Sequence, residues 1–385
     1  MKKISVQTLL SSFIKYISFT VLVFNSYLST SAFNIPMLVF MLPYVCFMKV
    51  RFKVVDVCIV FILALMVVAA TLNSFANGYD DIALVKFSIY SCTLACCISG
   101  FVSIHRFTTM QFINALLVLL TVNSIFIIIT TFYPSTRVVY SIIAVNPKVF
   151  TYPIPRYPGF VYDGFSYLSV FIFLALTLCV VYLKKLTSKV SSTTMSIVSV
   201  INMLGVLISG RLGVLLSLFT MPLWPKKFIF INIIFIAVIA LCISILYADI
   251  FETIASYVIW NLFQVVNIVF NGISTDTSAS DLVHNHFVFN NENFFTLLFG
   301  SGDFGFGKTA YLSDSGYIKL FNGLGFIGGT AFILGIVGLL FDRSLWMALF
   351  FAVFFIVMLK DFYLLFPYYF WSIPFFWLCT KGIKS

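Results

Sequence analysis

Residues 54–72 read VVDVCIVFILALMVVAATL, an apolar run that is long enough to cross a membrane as one helix. The backbone of such a run must satisfy its own hydrogen bonds, because the hydrocarbon layer holds no water. Similar runs fill the chain, which is 61% hydrophobic and 9% charged over 385 residues. At about 20 apolar residues per span, the sequence predicts an all-α integral membrane protein with about twelve transmembrane helices, and it excludes a soluble fold.

The charge pattern predicts the topology of these spans. The other predicted spans lie at 9–29, 32–48, 82–101, 112–132, 164–183, 193–209, 212–224, 228–248, 316–340, 344–359 and 362–380. Basic residues such as Lys49, Arg106 and Arg343 fall at alternate boundaries, as the positive-inside rule requires of cytoplasmic loops. We therefore expect cytoplasmic termini and one membrane domain, 1–385, with extracytoplasmic loops at about 133–163 and 249–315. The net charge of +10 marks topology and predicts no nucleic-acid partner.

Two arginines at span boundaries are the strongest candidate anion ligands. Arg156 lies in Arg156-Tyr157-Pro158-Gly159, and Arg211 in Ser209-Gly210-Arg211-Leu212-Gly213. Glycine permits close backbone approach, and a guanidinium forks onto two phosphate oxygens, so the pair predicts a site for the pyrophosphate of a lipid-linked sugar. The alternatives are ion pairing with Asp163, Asp303 or Asp314, or snorkelling to the interface. Weaker candidates of the same kind are Arg137, Lys308 and Lys319.

Asp314 is the candidate acid–base residue. It lies at the end of the long loop, in Ser313-Asp314-Ser315-Gly316, where a carboxylate could accept the proton of a sugar hydroxyl as a glycosidic bond forms. The alternative is a plain helix N-cap. His284 and His286 lie near Asp281, but they lack further ligands at metal-site spacing. We interpret them as surface or sugar-contacting residues and predict no metal.

Three stretches resemble the O-antigen polymerase and ligase superfamily of bacterial inner-membrane enzymes. Residues 156–167 resemble its Arg-x-x-Gly segment with a later Asp, and residues 208–213 its Ser-x-Arg-Gly type of helix junction. Ligases carry His, then Asn, Ser or Gln, nine residues, Gly, two residues and a small residue. Here Asp314-Ser315 precedes nine residues and Gly325-Phe326-Ile327-Gly328, with Asp in place of the ligase histidine. This substitution favours a polymerase.

The resemblance implies a fold, a reaction and a set of site residues. The expected fold is a membrane glycosyltransferase of the GT-C type, without cofactor or metal, whose active site faces the periplasm. Undecaprenyl-pyrophosphate-linked oligosaccharides would be donor and acceptor, in a lipid membrane, with a chain-length regulator protein as a further candidate partner. The expected catalytic residues are Asp314, Arg211 and Arg156, and the expected substrate-binding residues are Arg156, Arg211, Asp163, Asp303, Arg137, Lys319, His284 and His286. The alternatives are an O-antigen ligase and a lipid-linked oligosaccharide flippase or other transporter.

Overall fold

The computed structural model describes residues 6–24, 42–48, 54–79, 81–141, 159, 165–186, 192–210, 294–305, 315–359 and 369–381, with single positions or pairs between 212 and 241. The regular structure in these ranges is helical, and they contain no strand. Within them, four helices are long and apolar enough to cross a membrane: Val54–Ala76, Ala83–His105, Thr109–Thr131 and Gly316–Leu340. The all-helical class is thus confirmed for the described ranges, whereas the twelve spans and the GT-C arrangement stay predictions.

The chain divides into two compact units. Unit 1 consists of Met1–Phe47, Cys97–Phe263 and Cys379–Ser385, and unit 2 of Met48–Cys96 and Gln264–Leu378. The prediction of one membrane domain stays a prediction. The described α-helices are α1 Val6–Phe24, α2 Val54–Ala76, α3 Ala83–His105, α4 Thr109–Phe132, α5 Phe165–Leu186, α6 Ser192–Ser209, α7 Phe294–Phe299, α8 Gly316–Leu340, α9 Leu345–Val357 and α10 Tyr369–Lys381.

In unit 1, helices α4, α5 and α6 pack against one another. Residues 168–180 of α5 are buried at every position, as expected of a helix that is apolar on all sides and surrounded by other helices. Helix α1 adds Phe19, whose ring lies 5.4 Å from that of Phe107 and 6.2 Å from that of Phe112. Aromatic packing therefore joins α1 to the beginning of α4.

Side-chain contacts fix the directions of these helices. The thiol of Cys179, late in α5, donates to the carbonyl of Ile113, early in α4, at 3.5 Å, so α5 runs antiparallel to α4. Asn202 of α6 donates to Thr121 Oγ1 at 3.0 Å and accepts from Ser124 Oγ at 3.0 Å. Gly205, further along α6, lies against Ser124, so α6 runs parallel to α4. Helices α4 and α6 therefore finish where α5 begins, and we call this the Phe132 end of unit 1.

In unit 2, helix α8 packs against α2 in the opposite direction. Gly328 lies beside Met66, Gly335 beside Leu63 and Gly338 beside Ile59. A Cβ added at Gly335 would lie 2.9 Å from Leu63 Cδ2, which shows how closely the two helices approach. Glycines at helix interfaces permit such approach in membrane proteins, where packing replaces the hydrophobic effect as the force between helices.

Aromatic rings hold the remaining helices of unit 2 together. The ring of Phe350 in α9 lies 4.8 Å from that of Phe370 in α10, and the ring of Phe354 lies 5.4 Å from that of Trp371. Helix α9 begins at a capped turn, because Ser344 Oγ accepts from the backbone N–H of Met347 at 3.2 Å.

The helix bounds agree closely with six predicted spans, namely 54–72, 82–101, 112–132, 164–183, 193–209 and 316–340. Helices α1, α9 and α10 overlap the predicted spans 9–29, 344–359 and 362–380. The greater part of the predicted spans 32–48, 212–224 and 228–248 lies outside the described ranges.

Candidate functional site

A break in α8 creates a docking place for the end of the long loop. Gly325 has φ 70° and ψ 174°, which a residue with a Cβ rarely adopts and which interrupts the helix. In a straight helix, the carbonyls of Asn322 and Gly323 accept hydrogen bonds from the backbone N–H groups of residues four positions later. Here they accept from the backbone N–H groups of Ser301 at 2.8 Å and of Gly302 at 3.0 Å. The segment of α8 just before the break therefore binds the loop through two backbone hydrogen bonds.

Two asparagines at the end of α2 hold the same loop from another side. The amide of Asn73 donates to the carbonyl of Gly300 at 2.9 Å, and the amide of Asn77 donates to the carbonyl of Ser301 at 2.8 Å. Gly302 lies so close to Ser74 that an added Cβ would overlap the backbone there. We call residues 300–305 and 322–325, with Asn73, Asn77 and Asp81, the loop cradle.

Two carboxylates lie within the loop cradle. Asp81 accepts from the backbone N–H of Phe304 at 2.9 Å and from that of Ala83, at the start of α3, at 3.0 Å. Asp303 accepts from the N–H of Gly305 at 2.8 Å. Burial raises the pKa of Asp303, the N–H of Gly305 lowers it, and the nearby Asp81 carboxylate raises it further, so the net pKa lies above its ordinary value.

The loop cradle offers polar groups in a mostly dry setting. Asp81 is 3% exposed, Asp303 7% and Asn322 5%. The side-chain oxygen of Asn322 is buried without a hydrogen-bond partner in the described part of the chain. Phe304 is buried against Gly323 and anchors the loop. A carboxyl group with a raised pKa in a buried polar cluster is typical of functional sites, and it also occurs in purely structural clusters.

One glycine of each arginine motif packs against a helix of unit 1. A Cβ added at Gly159 would overlap the side chain of Asn123, in the later half of α4. The backbone N–H of Gly213 donates to Ser169 Oγ, near the start of α5, at 3.1 Å. Ser209 ends α6, and its hydroxyl is buried with no hydrogen-bond partner among the described residues. The two motif glycines thus contact neighbouring helices, α4 and α5, of the same unit.

Arg137 also lies at the Phe132 end, in the 3₁₀ helix Pro134–Ser141. Its Nε donates to the carbonyl of Thr130 at 2.9 Å, and its Nη2 donates to that of Thr131 at 3.2 Å. A cation at these last carbonyls of α4 satisfies them and interacts favourably with the helix dipole. These contacts make Arg137 a helix cap, and its binding of an anion stays a prediction.

The other predicted site residues are placed as follows. Asp303 belongs to the loop cradle, and Lys319 is half-buried near the start of α8, where its N–H donates to the carbonyl of Ser315. Ser315, and therefore not Asp314, occupies the N-cap position of α8. Outside the described residues lie Arg156, Arg211, Asp163, Asp314, His284 and His286.

Sequence reasoning missed Asn73, Asn77, Asp81 and Asn322. A signal for the first three was present, because the segment NSFANGYDD, residues 73–81, is a polar interruption between two apolar runs. Side-chain amides and carboxylates at such a point need partners, and the loop 300–305 supplies them. Asn322 is a polar residue in an apolar helix, which is a signal of the same kind.

Together these features define a helical protein with membrane-length helices, a polar loop cradle in unit 2, and motif glycines that pack against helices of unit 1. The comparisons with known proteins give no match, since no protein-family model fits the sequence and no curated protein or solved structure is similar to it.

Proposed function

We propose that the chain is a bacterial inner-membrane glycosyltransferase that polymerises O-antigen repeat units on the periplasmic face. The donor would be a growing glycan on undecaprenyl pyrophosphate, and the acceptor a single lipid-linked repeat unit. The acceptor hydroxyl oxygen attacks the anomeric carbon of the donor sugar. The bond from that carbon to the pyrophosphate oxygen breaks, the lipid pyrophosphate leaves with the electron pair, and a base takes the hydroxyl proton.

The packing of Gly159 against Asn123 of α4, and of Gly213 against Ser169 of the neighbouring helix α5, carries this proposal. Gly159 follows Arg156 by three residues in the sequence, and Gly213 follows Arg211 by two. Two guanidinium groups near one diphosphate would neutralise the charge that builds up on the leaving group, and fixed cations lower a barrier most at that point. A metal is not needed for this charge stabilisation.

Asp314 is the proposed base, or the residue that orients the acceptor. Ser315, and not Asp314, occupies the N-cap position of α8. The spacing from Asp314 to Gly325 also has a physical basis, because Gly325 is the position at which α8 breaks to receive the loop. Asp163, Asp303, Lys319, His284 and His286 are proposed sugar or diphosphate contacts, and their individual contributions are left to mutagenesis.

Chain-length analysis of lipopolysaccharide tests the two arginines. In cells that lack the native gene, Arg211→Gln is expected to abolish long glycan chains while the protein stays in the membrane. Arg343→Gln is the matched control, because Arg343 is an exposed arginine at the α8–α9 turn, outside both candidate sites. Normal chain lengths in the Arg211 variant, at normal protein levels, would remove this arginine from the mechanism.

The product of a gene deletion separates the proposed polymerase from the alternatives. A polymerase deletion leaves lipid A core with one repeat unit, since flipping and ligation still operate. A ligase or flippase deletion leaves lipid A core with none. Asp314→Asn is then expected to give the single-unit product, because an amide cannot accept the hydroxyl proton.

A further inference from the structure

Lys15 is a cation in an apolar helix without an anionic partner in the described ranges. It lies midway along α1, and its ammonium is 4.8 Å from the centroid of the Phe107 ring. A charge at such a position is costly unless it is paired, hydrated or bound to an anion. The cation–π contact holds the ammonium beside the turn between α3 and α4, instead of letting it extend along α1.

Other polar groups converge on the same turn. The His105 imidazole, at the end of α3, interacts electrostatically with the Lys15 ammonium. Its Nε2 lies 3.5 Å from the hydroxyl of Tyr44, which in turn lies 2.8 Å from Ser18 Oγ. When Tyr44 donates to Nε2, the ring proton is on Nδ1, which is then available to donate elsewhere. Lys15 and His105 are both partly exposed, so a ligand can reach them.

This cluster lies beside a polar turn between α3 and α4. Thr108 and Gln111 form a capping box at the start of α4, and Arg106 is exposed with φ 45°. Such a polar turn marks the edge of the hydrocarbon layer. Phe19, one turn after Lys15, packs into unit 1, so α1 enters the bundle at this level. Lys15 therefore lies level with this turn, where we expect lipid headgroups to reach it.

We propose that Lys15 and His105 bind the phosphate oxyanion of an anionic phospholipid headgroup at the Thr108 end of unit 1. The ammonium of Lys15 supplies the charge, and the imidazole N–H supplies a directed hydrogen bond. The bound phosphate turns the unfavourable proximity of two basic groups into attraction to a shared anion. The site is separate from the proposed diphosphate site, because it lies at the opposite end of α4. It does not depend on the proposed function.

Lipid binding to the full-length protein tests this site. Protein in phosphatidylcholine nanodiscs is titrated with phosphatidylglycerol, and binding is measured by native mass spectrometry for the wild type, Lys15→Gln and Lys15→Arg. One cation near the membrane surface increases the affinity for anionic lipid about fivefold. Lys15→Gln should therefore bind phosphatidylglycerol about fivefold more weakly, while Lys15→Arg keeps most of the affinity. Lys86→Gln is the matched control, since Lys86 is a similarly half-buried lysine near the other end of α3.

Three results would overturn the proposal. The first is equal phosphatidylglycerol affinity for the wild type and Lys15→Gln, with both proteins melting at similar temperatures. The second is an equal loss of affinity in Lys86→Gln, which shows a nonspecific effect of charge. The third is a rise in the melting temperature of the wild type with inorganic phosphate but not with phosphatidylglycerol. That result rules out the lipid as the source of the phosphate.

Discussion

At the residue scale, Asp303 is a carboxyl group that the fold makes harder to ionise. An aspartate in an unfolded chain releases its proton at about pH 4, whereas burial and the Asp81 carboxylate raise the pKa of folded Asp303. Between these two pKa values the folded state binds more protons than the unfolded state, so stability falls as the pH rises. Below the unfolded pKa this contribution to stability is fully present.

Asp303→Asn should therefore flatten the pH dependence of thermal unfolding above pH 4. The amide oxygen of asparagine can still accept from the N–H of Gly305, so the turn is expected to survive. The melting temperature in detergent at neutral pH should equal or exceed that of the wild type. Asp303→Ala is the companion variant, and it should melt lower because it loses the turn. An unchanged pH slope in the asparagine variant would contradict the raised pKa.

Variants of Arg137 distinguish its structural role as a helix cap from a role in binding substrate. Arg137→Ala removes donors from the carbonyls of Thr130 and Thr131, and it should lower the unfolding free energy by about 1 kcal/mol. Arg137→Lys keeps the charge at the end of α4 but loses the two-pronged geometry. Its unfolding free energy should lie between that of the wild type and that of Arg137→Ala. If glycan length changes in the lysine variant while its melting temperature does not, Arg137 also binds substrate.

At the element scale, the break in α8 is the feature on which the loop cradle depends. An alanine at Gly325 would need a strained φ, and its Cβ would overlap the carbonyl of Leu298 and the N–H of Gly300. Gly325→Ala should therefore cost on the order of 2–4 kcal/mol and release the loop from α8. Faster hydrogen exchange at residues 300–305 would report that release.

Gly338→Ala is the matched control for this variant. Gly338 lies in the same helix, and its nearest neighbour, Ile59 Cδ1, would be 3.5 Å from an added Cβ, which is an ordinary contact. Alanine also has the higher helix propensity, so this change should leave stability equal or slightly higher. Equal destabilisation by the two variants would show that α8 tolerates no alanine, and the break would lose its special importance.

The helices were largely predictable from sequence, but their partners were not. Uninterrupted apolar runs gave the bounds of α2, α4 and α8 to within a few residues, because membrane thickness fixes the length of a span. The spacing from Asp314 drew attention to Gly325 without revealing that this glycine breaks the helix. The bond from Asn73 to Gly300 joins positions 227 residues apart. Apolar periodicity contains no information about such a pairing.

At the scale of the whole molecule, the predicted topology places two ends of α4 on opposite sides of the membrane. The proposed reaction requires the Phe132 end to face the periplasm, where lipid-linked repeat units are joined. The positive-inside rule places Arg106, at the Thr108 end, in the cytoplasm.

Cysteine labelling in whole cells measures this orientation. In a cysteine-free background, with an outer membrane permeable to the reagent, Ser135→Cys should react with a membrane-impermeant maleimide. Arg106→Cys should react only after the inner membrane is opened. Both positions are exposed and both adjoin α4, so they differ mainly in the side of the membrane that they face. The reverse pattern would put the Phe132 end in the cytoplasm, where a periplasmic polymerase could not use it. The proposed function would then fail even with every helix correctly placed.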